Sequence, residues 1–122
     1  MRDILLVEDD PFLIDIYTTK LEKEGFSIKV AGNGKEAFKL LKKKVPDLLL
    51  LDIVLPRVDG WEILDKIKEN KKWKKIPVII LSNLGQKAEV EKGLDLGVKK
   101  YLIKAHYTPA EVVEEIKKIL KG

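Results

Sequence analysis

Leu48-Leu49-Leu50-Leu51-Asp52 is the stretch whose reading decides the fold. Four consecutive aliphatic side chains suit a short strand covered on both faces, as the strands of a parallel sheet are. The carboxylate that ends the run then stands where a buried strand opens to solvent. Further short apolar runs lie on either side, at Ile4 to Val7, Phe26 to Val30, Val78 to Leu81 and Lys100 to Ile103. Those at 26–30 and 100–103 are the less continuously aliphatic ones. Between the runs, apolar residues fall at helical spacing: Leu13, Tyr17 and Leu21 before Gly25; Ala37, Leu40 and Leu41; Ile63, Leu64 and Ile67; and Val112, Val113, Ile116, Ile119 and Leu120. Thr108-Pro109-Ala110-Glu111 gives the last helix an N-cap hydroxyl, a first-turn proline and a capping-box glutamate. A weaker helix is expected over roughly Gln86 to Leu94, where Gly93 costs about 1 kcal/mol relative to Ala. Strands and helices that alternate in this way predict an α/β domain with a parallel sheet.

Composition narrows the chemistry. The chain has 122 residues and 45% apolar content, which fits one domain with a substantial core. It has no cysteine, which excludes a disulfide framework, a thiolate zinc site and a cysteine nucleophile. No apolar run approaches the roughly 20 residues of a membrane-spanning helix, so a soluble, cytoplasmic protein with no membrane partner is expected. The net charge is +4, with 24 Lys and Arg against 20 Asp and Glu spread along the chain. Lys42, Lys43 and Lys44 read as a solvated helix end rather than a surface for nucleic acid. Heavy use of Lys and Glu is in keeping with a thermophilic or stabilised chain.

In an open parallel sheet, functional groups collect beyond the carboxyl ends of the strands, where the loops converge. Glu8, Asp9 and Asp10 follow the first run, Asp52 the third, Ser82 and Asn83 the fourth, and Lys104 the fifth. Asp10 before Pro11 is explained as a helix N-cap. One acid suffices for capping, so Glu8 and Asp9 call for a cation. Carboxylates gathered at one mouth suit Mg²⁺, a hard ion usually held by one or two carboxylates plus phosphate oxygens. A phosphoryl group on Asp52 would in turn need an ammonium and a hydroxyl, which Lys104 and Ser82 can provide.

These residues, in this order, resemble the receiver domains of two-component response regulators across essentially the whole chain, read as one receiver domain over residues 1–122. The motifs are Ile4 to Asp10, Asp52 with Pro56 and Asp59-Gly60, Pro77 to Ser82, and Leu96-Gly97 with Tyr101 to Lys104. The resemblance implies a flavodoxin-like (βα)5 three-layer sandwich with strand order 2-1-3-4-5. It implies that Asp52 accepts a phosphoryl group from a histidine kinase or phosphotransfer protein, in a phosphoacceptor rather than an enzyme proper. Mg²⁺, or Mn²⁺ in its place, would be held by Asp9, Glu8, Asp52 and the Val54 carbonyl. Ser82 and Tyr101 would form the switch, and a downstream protein would bind the fourth helix, fifth strand and fifth helix. A monomer or a weak, phosphorylation-dependent dimer is implied.

Three features depart from the family pattern. Lys104 is followed by Ala105 and His106, where receivers usually have a proline joined by a cis bond; a cis bond to Ala would cost about 2.5 to 4 kcal/mol. His106 is read as a surface or packing residue. Val54 and Leu84 lie two positions beyond Asp52 and Ser82, where polar groups would orient hydrolytic water, and their apolar character predicts slow dephosphorylation. The absence of an output domain predicts a stand-alone regulator that signals by protein contact.

Rival readings fail on particular residues. A flavodoxin-like electron carrier needs a Ser/Thr-rich phosphate loop where Glu8-Asp9-Asp10 would repel phosphate. A haloacid-dehalogenase-type phosphatase resembles a pattern with a second acid at the position of Val54. Gly32-Asn33-Gly34-Lys35 lacks the spacing of a nucleotide-binding loop and reads as a turn. A receiver-shaped binding module or engineered scaffold that is no longer phosphorylated stands as the alternative.

Overall fold

The computed structural model describes residues 2–55 and 59–121. Five strands, β1 (Asp3–Val7), β2 (Ser27–Ala31), β3 (Leu48–Leu51), β4 (Val78–Ser82) and β5 (Lys100–Ile103), form one parallel sheet in the order β2-β1-β3-β4-β5. The helices that return the chain between them are α1 (Pro11–Lys23), α2 (Gly34–Lys43), α3 (Gly60–Glu69) and α4 (Lys87–Asp95), with α5 (Pro109–Lys121) after the last strand. The expected strand order and flavodoxin-like sandwich are therefore present. β2 begins one residue later than the apolar run suggested, because Ser27 rather than Phe26 pairs with Asp3.

Strand position explains strand composition. All four leucines of β3 are buried, since the strand has neighbours on both sides and helices on both faces. β2 and β5 lie at the edges and carry the exposed Lys29 and Lys100. Because successive strand residues face opposite ways, the core divides in two. Leu5, Val7, Leu49 and Leu51 pack with Ala37, Leu41, Ile63, Leu64 and Ile67 of α2 and α3. Ile4, Leu6, Leu48 and Leu50 pack with Tyr17, Leu21, Val112, Val113 and Ile116 of α1 and α5. Each buried leucine contributes on the order of 1.5–3 kcal/mol, so this central strand is held firmly where it delivers Asp52.

Helix starts are anchored as the sequence suggested. Asp10 caps α1, its Oδ1 accepting from the Phe12 amide at 2.9 Å. The Gly32–Lys35 segment is the entry to α2, with Asn33 Oδ1 accepting from the Glu36 amide. Thr108 and Glu111 form the reciprocal capping box of α5: each backbone amide donates to the other's side chain. α4 buries only Gly93. The reason for a glycine there is packing: a Cβ would lie 2.9 Å from the Tyr101 ring and 3.0 Å from Ile80.

Candidate functional site

The carboxyl ends of β1, β3, β4 and β5 bring Glu8, Asp52, Ser82 and Lys104 to one edge of the sheet. Glu8 and Asp52 follow paired strands, and the Asp52 amide donates to the Val7 carbonyl at 3.0 Å, which extends that pairing into the site. Glu8 is 2% exposed, Asp52 6% and Ser82 fully buried. Burying two carboxylates is costly unless a cation and hydrogen bonds compensate. Lys104 supplies the cation: its Nζ donates to Glu8 Oε1 and to Asp52 Oδ2, each at 2.8 Å. Glu8 Oε2 accepts from the amides of Asp9 and Asp10, both at 3.1 Å, and Asp52 Oδ1 accepts from the Val54 amide at 3.0 Å.

Burial pushes the Glu8 carboxyl above the usual carboxylate range, against the opposing pull of Lys104 and the Asp10 amide. Burial works to lower the Lys104 ammonium, but its hydrogen bonds to Asp52 and Glu8 outweigh this and hold it above its ordinary value. Lys104 thus persists as a cation between two acids.

Lys104 reaches this position across a trans bond, since no peptide bond among the described residues is cis. Instead of the turn that a cis proline would impose, Lys104–His106 form a short 3-10 helix (η1). Ala105 and His106 are exposed, in agreement with a surface role for the histidine. Gly60 is the less visible support of the site. A Cβ there would stand 2.5 Å from Ile53 Cα and 2.7 Å from the Asp52 carbonyl oxygen, so only glycine lets α3 abut the loop that follows β3. Asp59 caps α3 through the Trp61 amide at 2.6 Å. Pro56, part of the sequence motif, lies outside the described residues.

Glu8, Asp9 and Asp52 each offer a carboxylate oxygen within 4.8 Å of the others. Both oxygens of Glu8 and both of Asp52 already accept hydrogen bonds, whereas Asp9 is exposed, so Asp9 is the carboxylate of the three most open to an incoming ion. Three carboxylates face a single ammonium, and an all-oxygen set with excess negative charge fits a hard divalent cation.

Ser82 Oγ accepts from the Leu84 amide at 3.2 Å. The Tyr101 hydroxyl donates to the Leu84 carbonyl, a link that no local motif reveals. One residue, Leu84, therefore connects the hydroxyl at the end of β4 with the half-buried ring on β5. Val54 and Leu84, whose amides donate to Asp52 and Ser82, are 57% and 37% exposed, so the backbone beside the site carries two exposed apolar residues.

A parallel sheet of this order with acids, a lysine and a hydroxyl at its carboxyl edge defines a flavodoxin-like α/β domain with a charged site at the strand ends. Residues 4–117 match the family model of the response regulator receiver domain, and the chain belongs to that family. It is 31% identical to the DNA-binding dual master transcriptional regulator RpaA of Synechocystis, over 99% of this chain and 50% of that protein. The receiver domain of Francisella response regulator 1452 superposes with a TM-score of 0.89 at 29% identity, covering 99% of this chain and 98% of that one. The Mn²⁺-bound form of response regulator Rcp1 gives 0.78 at 31% identity, over 85% and 81% of the two chains. The chain spans about half the length of the curated transcriptional regulators that it matches. Among the described residues, no helix is long and apolar enough to cross a membrane.

Proposed function

We propose that this receiver domain, taken as one unit over residues 1–122, accepts a phosphoryl group on Asp52 from a phosphohistidine of a kinase or phosphotransfer protein. The observation that carries the reading is Lys104 Nζ at 2.8 Å from both Glu8 and Asp52, with Asp9 beside them. An Asp52 carboxylate oxygen attacks phosphorus, forming the O–P bond as the P–N bond breaks, and the imidazole nitrogen leaves with the bonding pair. Mg²⁺, or Mn²⁺, held by Asp9, Asp52 and the Val54 carbonyl, would offset charge on the phosphoryl oxygens when bound. Lys104 turns from the Asp52 carboxylate to a phosphoryl oxygen, and its bond to Glu8 keeps it aimed. Ser82 exchanges the Leu84 amide for the phosphoryl group, and Tyr101 gives up the Leu84 carbonyl as it moves inward. The signal then leaves through α4, β5 and α5 to a protein partner.

Intact mass after treatment with acetyl phosphate tests this directly. One phosphoryl adduct is expected with Mg²⁺, none without it, and none in Asp52→Asn. An adduct that survives that substitution sinks the assignment, and no adduct in the native chain favours the unphosphorylated scaffold.

A further inference from the structure

The lysines are not spread evenly in space. Residues 39–47 and 66–75 contain ten lysines and two acids, a net +8, against +4 for the whole chain, so the remainder carries −4. The two segments meet where α2 and α3 end, beside the starts of β3 and β4, at the edge of the sheet opposite Asp52. There they line a cleft of about 550 Å³. Leu41, Val45 and Trp73 give it an apolar lining, Lys42 and Lys43 flank one side, and Lys71 and Lys72 the other.

The C-termini of α2 and α3 account for a lysine or two each, yet Lys71 and Lys72 lie beyond the end of α3. They are held in place: Asn70 Oδ1 accepts from the amides of Lys72 at 2.8 Å and Trp73 at 3.1 Å. Lys44 pairs with Asp3 at 2.6 Å, while among the described residues Lys42, Lys43, Lys71 and Lys72 make no ion pair. Four exposed ammonium groups around an apolar cleft form a field that selects an anion with an apolar element.

We propose that this cleft docks an extended acidic segment of a partner protein, with one apolar side chain seated against Val45 and Trp73 and its carboxylates on the flanking lysines. Protein suits it better than nucleic acid. Base stacking needs a free aromatic face, and Trp73 is buried with its ring stacked on Phe38 at 5.9 Å. No arginine stands in either segment to read phosphate or base edges bidentately. A concave, apolar-lined site also suits a seated side chain better than the plane of a membrane.

The test titrates the full chain into a fluorescent peptide in which one Leu interrupts a run of Glu, followed by anisotropy. Saturable binding is expected that weakens when that Leu is replaced by Ser. It should weaken at least about tenfold in Lys42→Glu combined with Lys72→Glu. Lys43→Gln combined with Lys71→Gln should act in the same direction by less, with the circular dichroism spectrum and Asp52 labelling unchanged in both variants. Absence of saturable binding, undiminished binding in the charge-reversed variant, or tighter binding of a single-stranded oligonucleotide or a phosphatidylserine vesicle would each overturn the proposal.

Discussion

Lys104 illustrates what single residues do here and what sequence can show of them. Its place at the end of β5 is legible, because Tyr101-Leu102-Ile103 reads as a strand. Its bond to Glu8 is not, since that partner lies 96 positions away and only the sheet order brings the two together. Likewise Val54 and Leu84 are legible as apolar but not as exposed. Neither of these two side chains can orient water, so phosphate on Asp52 should be long-lived. Chasing labelled protein after removal of the donor should show loss over far longer than seconds, and Val54→Asn should hasten it by about tenfold or more. Tyr17 offers a pH test. Burial, with an added contribution from Glu8 and against one from Lys104, pushes its phenol up to about 12 from 10.0. The folded state therefore holds this proton where the unfolded chain has lost it. Stability from this group is complete below pH 10 and declines as pH rises toward 12. Urea midpoints across that range should fall in the native chain and fall less in Tyr17→Phe.

At the level of elements, α4 is where local preference and packing disagree. By local preference alone, Gly93 costs the helix about 1 kcal/mol relative to Ala. The structure supplies the compensation, because the helix backbone rests on Tyr101 and Ile80. Gly93→Ala should therefore destabilise by about 1 kcal/mol net, with the overpacking penalty exceeding the gain in propensity. Urea unfolding reads this, and an increase in stability would show that α4 can lift away freely. The strands are legible nearly to the residue because buried parallel strands impose continuous aliphatic runs. The 3-10 turn after β5 is not, because the backbone path beyond Lys104 depends on contacts rather than on a period.

For the whole molecule, acids at one edge of the sheet and lysines at the other leave the acidic end in need of a counter-ion. Mg²⁺ should raise the melting temperature: saturation at 100 times the dissociation constant adds about 2.7 kcal/mol, or roughly ten degrees for a domain of this size. Asp9→Asn should abolish most of the rise in a thermal-shift titration. An equal rise in that variant would place the ion elsewhere.

The sheet has two open borders, β2 and β5, whose outer backbone groups could template another chain. Each border carries an exposed lysine, Lys29 on β2 and Lys100 on β5. Lys100 is also tethered to Glu115 of α5 at 3.4 Å. An incoming strand would have to meet an ammonium at either border and, at β5, displace that tether. The charges that mark these strands as edges also guard concentrated solutions of the protein against fibrous self-association.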